Sequence, residues 1–238
     1  MNNLLEVLSR SDVLALCAFL VIWLAFEIVV DHSPLRHRTL SGMMGHKRRE
    51  WFLVLAERDL RMVDTAILTG LQQGAAWFGT VAILSIGGCL AAFSSSDVAV
   101  QVFRDLPIIE PVSRGVFELK IAGLTLIFVY SFFKFGWSYR LYNYSAILIG
   151  ATPPATSPDA IAREKAARRA AGMNTVAGRH FADGQRALFF SFAYLGWFLG
   201  PWVFLLTTAL IMIVIYRRQF HSDALDALTR GGEDPPPA

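Results

Sequence analysis

Four apolar stretches, over residues 13–30, 66–93, 121–149 and 187–216, fill most of the chain. The hydrocarbon core of a bilayer is roughly 30 Å thick and takes about 20 helical residues to cross. Each stretch meets or nearly meets that length. The pattern predicts an all-α, polytopic membrane protein: four transmembrane helices with short amphipathic surface helices. A single membrane domain over residues 1–220 is expected, followed by a polar, partly disordered tail over 221–238.

Composition agrees with that class. Hydrophobic residues make up 54% of the 238 and charged residues only 17%, against roughly 25% charged in soluble domains. Nearly all the charges fall between the apolar stretches. The first stretch is read as a span and not as a cleaved signal, because its leader mixes Arg10 with Glu6 and Asp12. In addition, Asp31, His32 and Ser33 follow it where small residues would be needed for cleavage. Lys and Arg set the orientation. Residues 31–65 and 150–186 together carry thirteen, against seven on the opposite side of a four-span arrangement. The two basic segments are therefore expected in the cytoplasm of a bacterial inner (plasma) membrane, with both termini outside. Arg217 and Arg218 at the outer end of the fourth stretch run against that arrangement. The net charge of +3 then reports topology, and membrane lipids are the expected partners, with no nucleic acid.

Ser11-Asp12 can cap the first helix. From His46 a helical pattern with Trp51, Leu55, Leu60 and Val63 on its apolar side predicts an amphipathic helix at the inner surface, anchored by Trp51. On the outer side, Val98, Val102, Phe103 and Leu106 predict a short amphipathic helix ended by Pro107 and Pro111. Residues 159–171, Ala-rich and charged, should be helical, with breaks at Gly172 and Gly178. The Gly200-Pro201 pair should break or kink the fourth span.

Two charges lie inside spans, each costing about 2.5–3.5 kcal/mol at the bilayer centre: Glu27 and Lys134. They are expected to pair, or to share an intramembrane polar site with Gln72 and Gln73, the alternative being that Lys134 snorkels and Glu27 caps a boundary. A second group of residues, Arg49, Arg61, Arg140, Asn143 and Arg186, falls near the inner face. It is a candidate site for an anion or lipid headgroup, weighed against a solvated network that pins the loops, which is the favoured reading. The second span carries Gly70, Gly74, Ala75 and Gly79 at four-residue spacing, which lets another helix approach closely. Aromatic residues crowd the third span from Tyr130 to Tyr144, and packing between helices is the favoured reading for them. Cys17 and Cys89 read as two small buried thiols. His32, His37, His46, His180 and His221 all fall outside the spans, so no haem, metal or other cofactor is predicted. Phosphate loops, zinc-protease motifs and nucleophile elbows are absent from the sequence, so no catalytic residues are assigned and an enzyme is the less favoured class.

Five motifs in order carry a family resemblance. They are His46-Lys47-Arg48-Arg49-Glu50-Trp51 with Arg58 and Asp64, then Ser138-Tyr139-Arg140-Leu141-Tyr142-Asn143, then Gly184-Gln185-Arg186 with Phe189, and last Trp197-Phe198-Leu199-Gly200-Pro201, with the small-residue second span between the first two. Over about residues 10–220 the chain resembles the integral membrane proteins called domain of unknown function 599. The resemblance implies about four membrane helices and adds no activity. The function expected from the residues is non-enzymatic: helix–helix assembly as a homo-oligomer, or as an accessory subunit with a membrane-protein partner. The alternative is a transporter or channel-like protein using the intramembrane polar site, and the third is a lipid-modifying enzyme.

Overall fold

Ser9 and Thr39 decide where the first two helices begin. The Ser9 hydroxyl accepts from the Asp12 amide and the Thr39 hydroxyl from the Gly42 amide, each satisfying an amide that a helix start leaves over. In the computed structural model, which describes residues 8–104 and 113–230, they open α1 (Arg10–His32) and α2 (Leu40–Ala56), joined by a 3-10 turn at Pro34–Arg38. The chain continues through α3 (Met62–Ser94), α4 (Ser96–Arg104), α5 (Arg114–Gly150), α6 (Ala160–Leu195), a second 3-10 turn at Gly196–Leu199, α7 (Pro201–Phe220) and α8 (Asp223–Arg230). There is no strand among the described residues. Residues 1–7 of the expected leader, the helix stop at Pro107 and Pro111 and the tail beyond Arg230 lie outside them.

Four segments are long and apolar enough to cross a membrane: Arg10–Asp31, Met62–Ser94, Arg114–Gly150 and Pro201–Thr229. The protein is thus an all-helical membrane protein. Local boundaries differ from the sequence reading in three places. The cap of α1 is Ser9 and not Ser11-Asp12. The surface helix α2 already begins at Leu40, because Thr39 supplies the cap. Gly172 and Gly178 do not interrupt a helix; both lie inside α6.

The fourth apolar stretch shows the largest departure. Residues 187–216 are not one kinked helix. They divide into the end of α6, the turn at Gly196–Leu199 and most of α7. Gly200 sits at φ 133°, a conformation open to glycine and strained for other residues, and Pro201 starts the next helix where its missing N–H costs nothing. The Thr207 hydroxyl donates to the Ala193 carbonyl at 2.8 Å, so the first turns of α7 lie beside the last turns of α6. A side chain at Gly196 would collide with Thr207.

The chain forms two compact units. The first comprises residues 1–33, 81–131 and 185–218, the second residues 34–80, 132–184 and 219–238. The core of the first is aromatic. Phe19 lies 5.0 Å from Phe204 and edge-on to Phe190 and Tyr194, while Trp197 stacks on Phe204 at 5.4 Å. In the second, Phe52, Leu55, Leu68, Tyr142 and Ile149 pack around Ala170, Ala171 and Ala177. There α5 and α6 run antiparallel along a seam of small residues. Ser138 donates to the Ala177 carbonyl at 2.8 Å and Ser145 to the Ala170 carbonyl at 3.2 Å. Each pair of positions is two helical turns apart, so the register holds over that length. The aromatic run of α5 contributes Phe135 to this packing. Its ring stacks on Phe78 at 5.4 Å, meets Phe181 edge-on and fills the space left by Gly184.

Candidate functional site

In the first unit Glu27 and Asp31, four apart on α1, lie on one helix face and receive a single arginine from α6. Arg186 Nε donates to Glu27 Oε1 at 3.2 Å; Nη2 donates to Glu27 Oε2 at 2.8 Å and to Asp31 Oδ2 at 2.6 Å. Trp23 Nε1 donates to Glu27 Oε1 at 3.3 Å. The Arg186 side chain is only 3% exposed. A bidentate guanidinium suits such a site because its planar fork matches carboxylate geometry and is always charged.

Glu27 also closes one end of an apolar groove of about 520 Å³ between α1 and α5, lined by Leu20, Trp23, Leu126, Tyr130 and, from the end of α6, Tyr194. Trp23 stacks on Phe190 at 5.2 Å and meets Tyr130 edge-on at 6.0 Å. The Tyr194 hydroxyl occupies the place a side chain at Gly123 would need. A polar group forms around Trp197, which also lines the groove. Its Nε1 donates to Asp12 Oδ1 at 2.6 Å, while Lys120 Nζ donates to the Trp197 carbonyl at 2.8 Å and lies 3.7 Å from Asp12. The walls of the groove can hold an apolar chain.

In the second unit Lys134 Nζ donates to Asp183 Oδ2 at 2.7 Å, with His180 Nδ1 3.9 Å from the same oxygen. Gln72 Nε2 donates to Asn143 Oδ1 at 3.0 Å, and Asn143 Nδ2 to the Tyr139 carbonyl. Gln73 is exposed. Glu27 and Lys134 each have a different partner from the one predicted, because α6 brings in Arg186 and Asp183, which the sequence reading placed in a loop. Gln72 turns to Asn143 and Gln73 turns outward.

The expected inner-face set also serves separate tasks. Arg49 is exposed and its Nε donates to the Gly45 carbonyl. Arg61 donates to the carbonyls of Ile149, Thr152 and Pro153 at 3.2, 2.8 and 2.6 Å, closing the end of α5 as basic side chains do at helix C-termini. Arg140 donates to the Tyr144 hydroxyl at 2.6 Å and lies over the Trp137 ring. Asn143 bonds Gln72, and Arg186 bonds the two acids of α1.

Other motif residues turn out to be structural. Asp64, fully buried in the first turn of α3, accepts from Trp51 Nε1 at 2.7 Å and Arg58 Nη1 at 2.8 Å. A carboxylate there is favoured by the helix dipole. Trp51, expected as an interfacial anchor, is thus a hydrogen-bond donor to Asp64. Of the two thiols Cys89 is buried and Cys17 exposed. The residues the sequence reading missed are Asp183 and Asn174 of α6. A stripe of small side chains at three- and four-residue spacing, Ala167, Ala170, Ala171, Asn174 and Ala177, was the available signal that this charged helix has a buried face.

These arrangements hold the motifs that carried the resemblance, and the comparison at family level agrees. The family model described as "Protein of unknown function, DUF599" matches residues 14–224. The chain belongs to the DUF599 family. No curated protein and no solved structure matches it. In this DUF599 protein the matched region contains the Glu27–Arg186–Asp31 group, the Lys134–Asp183 pair and the Gly200-Pro201 break. The family description assigns no activity to DUF599 proteins, so the functional reading rests on the geometry.

Proposed function

We propose that this DUF599 protein is non-enzymatic and acts by helix–helix assembly, as a homo-oligomer or as the accessory subunit of a membrane complex. The observation that carries the reading is the outward face of α3 in the second unit. Gln73 is exposed there among Ala66, Thr69, Gly70, Ala76 and Thr80, and nothing lies within 4 Å of a side chain built at Gly70 or Gly74. Only 11% of the apolar window of α3 is buried. An amide on a lipid-facing surface is costly, and small residues around it let a second helix come close enough to bond it. The transporter alternative draws less support, since Glu27 and Lys134 are each held by an opposite charge.

Native mass in mild detergent tests this reading, with Gln73→Leu and Gly70→Leu as variants. Wild-type protein is expected as a defined oligomer or with a co-purifying membrane protein, and Gly70→Leu is expected to dissociate it. A wild-type monomer with no companion overturns the proposal.

The same reading assigns the inner (plasma) membrane with the N-terminus outside and the C-terminus in the cytoplasm. Support comes from α6, which returns antiparallel along α5, and from α7, which doubles back beside α6. Counting α6 as a crossing puts Arg217 and Arg218 on the basic inner side, in line with the positive-inside rule. It replaces the expectation of two outer termini, which counted residues 187–216 as one crossing.

A further inference from the structure

The middle of the α5–α6 seam in the second unit differs from its flanks. On either side, Ser138 and Ser145 are satisfied by α6 carbonyls. Between them stand Tyr142 and Asn174, 1% and 0% exposed. The Tyr142 hydroxyl lies within reach of Arg48 and Ser138, while both side-chain amide atoms of Asn174 are buried with no hydrogen-bond partner among the described residues. Buried polar groups are nearly always bonded to something, so the Asn174 amide calls for a partner.

Arg48 of α2 reaches the same place. Its Nη1 donates to the Asn174 carbonyl at 3.3 Å, and its guanidinium carbon lies 5.9 Å from the Tyr142 ring centre. Gly178 makes room for it, since a side chain there would collide with the guanidinium. Lys134 and Arg186 each meet a carboxylate, whereas Arg48 has no carboxylate within ion-pair distance among the described residues. Arg48 is half-buried, which leaves an approach from outside.

The available hydrogen-bonding groups are mostly donors. The guanidinium keeps N–H groups beyond the one used, Tyr142 offers an O–H, and the Asn174 amide offers two hydrogens, with one oxygen able to accept. A fixed positive charge with neutral donors beside it is the chemistry that recognises an oxyanion, and Arg suits phosphate because of its planar fork. The single acceptor, Asn174 Oδ1, can take the proton of a partly protonated phosphate. We propose that Arg48, Tyr142 and Asn174 bind a phosphate group, supplied by a phosphomonoester lipid headgroup or by free phosphate. The site is independent of the assembly reading.

The test uses the full chain in mild detergent and in nanodiscs. Inorganic phosphate is titrated while thermal stability is followed, with chloride at equal ionic strength as control. Separately, retention of phosphatidic acid against phosphatidylcholine is read by native mass spectrometry. Wild type is expected to show saturable stabilisation by phosphate, which assigns free phosphate, or preferential retention of phosphatidic acid, which assigns the headgroup. Arg48→Met should weaken either effect at least tenfold. Tyr142→Phe, which removes only the hydroxyl and keeps the ring packing, should weaken it several-fold and guards against a variant that fails to fold. Equal responses to phosphate and chloride with no lipid preference, or binding unchanged in both variants, overturn the proposal.

Discussion

Lys134 lies 2.7 Å from Asp183 across the α5–α6 seam, with the two side chains 24% and 12% exposed. A lysine set among aromatic residues thus finds its counter-charge on a long helix rich in charged residues. Removing one member of a buried pair leaves an uncompensated charge, which typically costs about 3–5 kcal/mol, whereas replacing both by apolar groups is often neutral. Lys134→Met alone is expected to lower stability in detergent by an amount of that order. Lys134→Met with Asp183→Leu should recover most of the loss, as read by denaturant or thermal unfolding.

Gly184 and Gly136 provide a matched test of packing. A methyl at Gly184 would come 2.7 Å from the Phe135 ring, while one at Gly136 meets nothing within 4 Å. Overpacking of this kind costs about 1–3 kcal/mol. Gly184→Ala should therefore lower the unfolding midpoint. Gly136→Ala should leave it unchanged or raise it, since alanine favours a helix interior by about 1 kcal/mol over glycine.

Arg61 holds three carbonyls at the end of α5 and in the segment that follows. Hydrogen bonds to charged groups contribute about 1.5–3 kcal/mol each at most, and much of this is shared. Arg61→Ala should destabilise by about 2 kcal/mol. It should also raise the rate of limited proteolysis within residues 151–158, where the chain carries no helix of its own. Arg49→Ala, whose side chain is exposed, should change neither reading.

The proposed topology is open to a direct check. A reporter fused after residue 238 should behave as cytoplasmic, active as a fluorescent protein and inactive as a periplasmic phosphatase. The reverse result would mean that α6 does not cross the membrane.

The membrane class and four apolar segments were legible because hydropathy is a property of local sequence, the fourth lying at Pro201–Thr229 where 187–216 is expected. So was the helix at residues 159–171, where the Asp159 carboxylate caps the Ala162 amide at 2.8 Å. What escaped was α6. Arg179, Asp183 and Arg186 lower its hydropathy, and hydropathy records what a residue prefers as a solvent, not the charge it will meet. Arg186 and Asp183 are buried only because Glu27, Asp31 and Lys134 wait for them. Gly178 reads as a helix breaker for a similar reason. Its use is to admit Arg48, as Gly184 admits Phe135, both side chains distant in sequence. Glu27 and Lys134 each need an opposite charge, and α6 supplies both.

The position of Arg186 in the chain has a consequence for synthesis. It is made 159 residues after Glu27 and 155 after Asp31, while Arg61 precedes every carbonyl it caps. The turn after α5 can therefore set as it leaves the ribosome. The first helix must enter the bilayer with both acids uncovered by Arg186 and depend on the insertion machinery until α6 arrives. A chain truncated before Arg186 would be left with that debt, which makes the last third of the protein a checkpoint on the stability of its first helix.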